Sequence, residues 1–565
     1  MNHFNLRILA QWLVLTLLVV PDANAQRQVQ KLFAGNGTSA DDFGGRCVIE
    51  GEWCLISAVG SDSLALNAGA VHSFRFANGA WAETQVLVAS VGQSADSFGW
   101  SVAMSGNFAV IGAKGSAGLT SVRCGAAYVF ERVGTTWFER QKLVPSIPFN
   151  DGQYGNAVAI SGDRIVVGTW FASGFGSDCG AAYIYERNSS TWNQVALLQP
   201  PGLSSNDSFG SHVAIEGDTC VVSSLFDQGT GSVTVFKRNV QGVWQFQQTL
   251  LGTNIPVPGY FGGSVGISGS TIMASSEVEN TAATIRGGTV HVFEAVSGVW
   301  SETQVFTTND IQLEDGFSLR SLRGDVAICS SVGDDDTGQI SGASFVFRKL
   351  NGVWTQTAKV MPNDPHFGHY FGYWADIAGA TLVVGAVGED DVCGGVSTCN
   401  AGAVYFFDLA PTAIQYGSCA SAAPCGNTDN HGGCVNATGK GAILQASGSG
   451  SVATDDLTLE VRNVPPFTAT LMFMDGSQAS IPLGSGQLVT LGGSTGLHRL
   501  SVQFADADGV VVRPPGIVAQ SQFLGRLGPI SAGQTRNFQC WYRDVSSPCG
   551  ITNNLSNGLS VQFVP

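Results

Sequence analysis

The chain has 565 residues, 73 of them glycine and 13 cysteine, and only 12% are charged. Its 43 acidic groups against 27 basic ones leave a formal charge of −16. This composition excludes a coiled coil, a collagen-like fibre and a disordered acidic tail, and it argues against nucleic-acid binding, which needs cations to displace phosphate counterions.

The first residues read as an address. Arg7 precedes an apolar run from Ile8 to Val20, and Ala23-Asn24-Ala25 supplies the small residues a signal peptidase reads. The expectation is a signal peptide over residues 1–25 and a mature chain from Gln26. The alternative, an uncleaved anchor, has an apolar run short of the roughly 20 residues that span a bilayer. No later stretch is apolar enough to cross a membrane, and 13 cysteines suit an oxidising compartment.

The chain then repeats itself. An aromatic followed by a small residue recurs at Phe43-Gly44, Phe98-Gly99, Tyr154-Gly155, Phe209-Gly210, Phe261-Gly262, Phe317-Ser318 and Phe371-Gly372. A second landmark keeps the same spacing at Trp81, Trp137, Trp192, Trp244, Trp300 and Trp354. Within the third unit, Ala157–Ile160, Arg164–Gly168, Ala181–Glu186 and Trp192–Leu197 alternate with period two and are separated by turn residues, which predicts four antiparallel strands. Four strands per repeat of this length is the sequence form of a propeller blade.

The seventh unit has no Trp strand after Phe407, whereas Gln28–Leu32 near the start resembles Glu139–Leu143 at the end of the second unit. The N-terminal segment is therefore expected to complete the last blade, leaving no free edge between first and last. The predicted fold is all-β: a seven-bladed β-propeller over residues 26–410, a Cys/Gly-rich linker over 411–436 and a smaller β-sandwich domain over 437–565.

The aromatic-Gly start, followed by Val110-Ile-Gly-Ala113 or Val383-Val-Gly-Ala386, resembles the FG-GAP repeat of integrin α-subunit propellers and their secreted bacterial relatives. The resemblance implies the propeller fold and, for function, adhesion. Integrin-type repeats often hold calcium in an Asp-rich loop between the two motif halves. Here that place is a tight turn, such as Gly106-Asn107 or Gly162-Asp163, without room for five or more oxygen ligands. Asp334, Asp335, Asp336, Glu389, Asp390 and Asp391 fall in a later loop and read as solvated acids, with weak calcium binding as the alternative. No cofactor is expected.

Among the cysteines, Cys47 and Cys54 flank the turn at Gly51, and a register pairing Ile49 with Glu52 would set them opposite each other as a disulfide. Cys393 with Cys399 and Cys540 with Cys549 bracket loops and are expected to close them. Cys124 and Cys179 precede Gly-Ala-Ala-Tyr in neighbouring units, leaving an inter-blade link open. Cys220 and Cys329 sit in apolar strands as buried thiols. The spacings of Cys419, Cys425 and Cys434 do not match zinc frames.

After Asp408 the period stops. Short alternating runs at Leu457–Val461, Ala469–Phe473, Leu500–Phe504 and Leu559–Phe563 predict the strands of the second domain. Its Pro424–Asn427, Gly433–Asn436 and Leu555–Phe563 segments resemble a C-terminal module found on many secreted proteins of environmental bacteria, which carries no activity over.

No linear catalytic signature is present. Asp364, His366, His369 and Asp376 form the best local cluster, and loop polarity beside aromatic packing is the favoured reading over a metal site. His72 and His291 occupy the slot of Tyr128 and Tyr183. Asp42, Asp96, Asp207 and Asp315 read as turn acceptors. The expected function is a secreted or cell-surface binding protein whose loops recognise an extracellular protein or polysaccharide. The alternatives are an extracellular propeller hydrolase or lyase, marked by titratable groups from three or more blades meeting at one channel mouth, and a structural envelope or matrix component.

Overall fold

The computed structural model describes residues 27–563, apart from short internal stretches of which 278–285, 392–399, 420–425 and 523–528 are the longest. The expected signal peptide lies outside the described residues. Among those residues the chain is almost wholly β, its helices being a 3-10 turn at Asp227–Gly229 and a five-residue α-helix at Ile517–Ser521.

Residues 43–87, 98–143, 157–198, 209–250, 264–306 and 318–360 each form a four-stranded antiparallel sheet in chain order. We number these sheets 1 to 6. In sheet 7, Phe371–Ala378, Thr381–Ala386 and Ala403–Asp408 are joined by Arg27–Leu32, which pairs antiparallel with Ala403–Asp408. The second strands are buried on both faces beyond their first residue, and Trp53–Ala58 is buried throughout, whereas the outermost strands, such as Ala80–Leu87, alternate between core and solvent.

Three contacts repeat from sheet to sheet and explain the period. The first is backbone. The N–H of each repeat's aromatic donates to a carbonyl of the preceding sheet: Phe98 to Ala68 at 2.8 Å, Tyr154 to Cys124 at 2.7 Å, Phe209 to Cys179 at 2.8 Å and Phe261 to Thr230 at 2.9 Å. Phe317 to Gly287 at 2.7 Å and Phe371 to Ser341 at 3.0 Å continue the series, and Phe43 to Ala401 at 3.1 Å joins sheet 7 to sheet 1. A glycine stands beside each of these aromatics because the backbones touch. At Gly402, φ is +80° and an added Cβ would lie 2.0 Å from the Phe43 carbonyl oxygen.

The second contact is an amide clamp. A glutamine on one outer strand donates to the carbonyl and accepts from the N–H of the next sheet's tryptophan. Gln85 holds Trp137 at 2.9 and 2.8 Å, and Gln141 holds Trp192 at 2.8 Å in both directions. Gln248 and Gln304 hold Trp300 and Trp354 in the same way. Gln30, on the N-terminal strand, holds Trp81 at 2.8 Å. Both backbone groups of an outer strand are thus satisfied across the interface.

The third contact is apolar, because each core lies between sheets. Leu55 and Val71 pack with Ile111 and Tyr128, and Ile49 and Ile56 pack with Val383, Val404 and Phe406. His72 and His291 sit in the tyrosine slot as expected. Both are buried, and each ring meets its repeat's aromatic edge-on at 5.2 Å, close to the 5.5 Å of Phe98 with Tyr128.

Beyond Asp408, a three-stranded sheet (Ile443–Ser447, Thr458–Arg462, Val511–Arg513) and a larger sheet with Ala469–Asp475, Thr535–Arg543 and Gly558–Gln562 share one core. Leu444, Leu459 and Val511 from the first meet Met472, Phe538, Tyr542 and Leu559 from the second. The expected strand at Leu500–Phe504 is broken into His498–Arg499 and Gln503–Phe504. Cys419 and Cys434 form a disulfide.

Two expected disulfides are corrected. Gly51 takes φ +57° and opens a two-residue turn with Glu52, so Glu50 faces Trp53, Ile49 faces Cys54 and Cys47 faces Ile56. The register is offset from the expected one, leaving Cys47 and Cys54 diagonal to each other as buried free thiols. Cys540 lies inside the strand Thr535–Arg543 rather than at a loop, and its buried thiol is also free. Cys549, Cys393 and Cys399 fall outside the described residues. Cys179 is free as well, and Cys124 and Cys179 hold equivalent places in successive sheets, each giving its carbonyl to the next aromatic. Burial pushes the thiols of Cys47, Cys54, Cys220, Cys329 and Cys540 upward, that of Cys540 to about 12. Native protein should therefore react slowly with a thiol reagent at neutral pH, and unfolded protein should reveal at least six free thiols, those of Cys47, Cys54, Cys179, Cys220, Cys329 and Cys540. Rapid native labelling of six would contradict this arrangement.

Candidate functional site

The acids singled out from the sequence are not all solvated, and each group is built around a lysine. Lys359, on the outer strand of sheet 6, places Nζ 2.7 Å from Asp310, 2.6 Å from Asp334 and 2.6 Å from Asp336. Lys31, at the same place on the N-terminal strand, lies 2.7 Å from Asp364, 3.3 Å from Glu389 and 2.7 Å from Asp391. Asp334 is 2% and Glu389 0% exposed. Asp335 is exposed, and Asp390 accepts from the Asn400 N–H at 2.7 Å. Burial opposes the charge on Lys31, but its hydrogen bonds to Asp364 and Asp391 outweigh it and raise the pKa; Lys359 is raised in the same way. Within each trio the carboxylate oxygens lie within 4.8 Å of one another, a spacing that would suit a metal ion, yet the ammonium already occupies the middle.

The histidine cluster is split. His369 places Nδ1 3.2 Å from Glu389 and meets the His366 ring at 5.0 Å, tilted by 44°, so both border the Lys31 cage. Asp376 lies elsewhere, bound to Arg323 at 2.9 Å and to the Ile49 N–H at 3.0 Å, and ties sheet 7 to sheets 6 and 1. Of the expected turn acceptors, Asp96, Asp207 and Asp315 each accept a backbone N–H three residues upstream. In sheet 1 the acceptor is Asp41 rather than Asp42, since the acid two places before the aromatic reaches back.

Asp42 instead lines a cleft of about 140 Å³ with Gly45, Arg46, Val59, Trp100, Tyr373 and Val387. These residues come from the start of first strands in sheets 1, 2 and 7 and from the ends of their second strands. The Arg46 guanidinium lies 4.1 Å above the Trp374 ring, and Lys114 Nζ lies 2.8 Å from the centre of the Trp100 ring. Trp100 Nε1 donates to Asn156 at 3.2 Å, and Asn156 donates to the Ser211 carbonyl at 2.9 Å, carrying the rim through sheets 3 and 4. Arg320 of sheet 6 also faces Trp374, at 5.9 Å, and stands 3.6 Å from Glu277 of sheet 5.

Desolvation dominates the electrostatics here. It lowers Arg46 to about 10, and with the help of Arg46 it lowers Lys114 to about 8. His212, after Ser211 on sheet 4, falls to about 4 through burial and the charges of Arg46 and Arg320. Burial and then Asp41 raise Asp42. Neither Arg46 nor Lys114 has an ion-pair partner among the described residues; the polar partner of the Arg46 side chain there is its neighbour's carbonyl, Gly45, at 2.9 Å.

The model of the FG-GAP repeat family matches residues 81–130, 137–185, 192–236 and 354–407. The chain carries FG-GAP repeats. The first three matches start at a clamped or packed tryptophan and end in the third strand of the next sheet, so the FG-GAP unit straddles the interface held by the glutamine and glycine contacts. No curated protein matches the chain. Among solved structures, a proposed 6-phosphogluconolactonase from Bacteroides uniformis is 12% identical over 57% of this chain and 86% of its own, with a TM-score of 0.38, which carries no argument about this protein.

Sequence reasoning missed the cleft. Its groups come from different repeats: Arg46, Trp100, His212, Arg320 and Trp374 all stand two or three places after the repeat's aromatic. Aligning those positions across repeats would have exposed an excess of cations and indoles in an acidic chain.

Proposed function

We propose that the protein is a secreted binding protein whose seven four-stranded sheets close into one propeller over residues 26–410, followed by a linker to 436 and a C-terminal β-sandwich over 437–565. The series of aromatic-to-carbonyl bonds, which returns from Ala401 to Phe43, supports closure. The core shared by two sheets supports the sandwich. The N-terminal signal pattern and the FG-GAP repeats support export, and no helix among the described residues is long and apolar enough to cross a membrane.

The observation that carries the binding reading is the cleft, where Arg46, Trp100 and Tyr373 of sheets 1, 2 and 7 line an opening too small for a drug-sized ligand but suited to one sugar of a chain, with Lys114 against Trp100 beside it. Indole faces stack on sugar rings through their apolar side. A polysaccharide is therefore favoured over a protein partner.

Binding of residues 26–565 to polysaccharides and washed cell envelopes, with and without a chelator, tests this reading. Saturable binding that Trp100→Ala weakens and chelation spares is expected, because lysine ammoniums already fill the acidic cages. Binding abolished by chelation, or indifferent to Trp100→Ala, would contradict it. An enzymatic reading has one observation in its favour: titratable groups from six sheets, Arg46, Lys114, His212, Glu277, Arg320 and Tyr373, gather on this side of the inner strands. Shortening of a bound polysaccharide on incubation would favour it.

A further inference from the structure

We propose that the cleft is a subsite for an acidic polysaccharide, with the carboxylate or sulfate of one sugar held by Arg46 and Lys114 and its ring against Trp100. The inference rests on the binding reading above and names its ligand class.

In a chain with 16 more acids than bases, many arginines on the sheets have acidic partners: Arg75 with Glu52, Arg140 with Glu131, Arg187 with Asp163, Arg238 with Glu186 and Arg323 with Asp376. Arg132 has none and lies over the rings of Trp53 and Trp137 instead. The cleft differs in bringing two such cations together. Arg46 and Lys114 make no ion pair among the described residues, and burial already disfavours both charges. A desolvated cation without a counter-ion is a site that an anion completes, because the cost of removing water has been met before the ligand arrives.

Geometry selects the kind of anion. The Arg46 guanidinium carbon lies 4.1 Å from the centre of the Trp374 ring, and one of its N–H donors is committed to Gly45, leaving the others to a ligand. In-plane donors recognise a planar carboxylate or a sulfate in bidentate fashion. Lys114 covers one face of Trp100, which places the second cation beside an indole that itself lines the cleft and leaves its other face and its edge for a sugar ring. Asp42 opposes an anion, yet burial and Asp41 raise its pKa and make it easier to neutralise than an ordinary carboxylate. Glu277 is already engaged by Arg320. A free inorganic anion would use the cations but not the indole walls, so a charged sugar accounts for more of the surface.

The test is a calorimetric titration of residues 26–565 with polygalacturonate, dextran sulfate and neutral dextran. At least one acidic polymer should bind, dextran should not, and Arg46→Met and Lys114→Met should each weaken binding about tenfold without moving the thermal midpoint. Preference for polygalacturonate or for dextran sulfate identifies the anion as carboxylate or sulfate. Dextran binding as tightly as the acidic polymers, with Trp100→Ala still weakening it, would overturn the anion assignment and leave the sugar-binding cleft standing. Acidic polymers bound equally by wild type, Arg46→Met, Lys114→Met and Trp100→Ala would overturn both. Failure of both acidic polymers to bind would overturn the ligand class.

Discussion

Lys31→Met should destabilise the protein by about 3 kcal/mol and reverse the acid dependence of this part of the structure. The ammonium holds three carboxylates, and Glu389 among them has no exposure to water. Removing one partner of a buried pair leaves the other charge uncompensated, which costs far more than the pair contributed. In the wild type, the hydrogen bond from Lys31 lowers the Asp391 pKa. A depressed carboxylate contributes stability above its unfolded pKa and loses it as pH falls through the folded value. In Lys31→Met the cage instead raises its carboxylates, the folded state takes up protons first, and stability returns as pH drops towards 5. Urea midpoints for both proteins between pH 5 and 8 would show converging stabilities. A constant gap would mean that the lysine acts only by packing. Lys31→Met/Glu389→Gln should recover much of the loss at neutral pH, since it removes the buried charge with its partner.

Gly402→Ala should be among the most damaging small substitutions in the chain, at about 3 kcal/mol or more. Its φ of +80° costs an L-residue roughly 1–2 kcal/mol, and a Cβ 2.0 Å from the Phe43 carbonyl forces two sheets apart. Gly379 is the internal control, because it has φ +59° with nothing within 4 Å of an added Cβ. Gly379→Ala should therefore cost only the conformational part, about 1 kcal/mol. Equal midpoints for the two variants would show that the glycine is needed for its backbone angle alone and not for the joint between sheets 7 and 1.

Much of this arrangement was legible in the sequence because it depends on local spacing. Turn glycines, period-two alternation and the recurring aromatic each report on a few neighbouring residues, and together they placed four strands in each repeat. The resemblance between Gln28–Leu32 and Glu139–Leu143 also pointed to a partner, and Arg27–Leu32 does pair with Ala403–Asp408. What failed depended on a single residue of register. Moving the turn from Glu50-Gly51 to Gly51-Glu52 carries Cys47 from directly opposite Cys54 to a diagonal position. Likewise Asp41 and Asp42 are indistinguishable by composition, yet one reaches back to Thr38 and the other lines the cleft. Cage acids looked solvated because nothing near them in the chain announces a lysine more than 300 residues away, as Lys31 is from Asp364. In the C-terminal part the missed strand Thr535–Arg543 carries Asn, Gln and Arg in a buried setting, so polarity hid it.

The pairing of Arg27–Leu32 with Ala403–Asp408 also sets a timetable for synthesis. A ribosome releases the first strand about 370 residues before its partner, which at 5–20 residues per second is on the order of half a minute. Sheets 1 to 6 draw their strands from contiguous chain and can form as they emerge. The opening strand cannot: it waits unpaired, with the flank of sheet 1 uncovered beside it, until residue 408 has been made. A chain stopped short of that residue would carry two open β-edges, the kind of surface on which other chains polymerise.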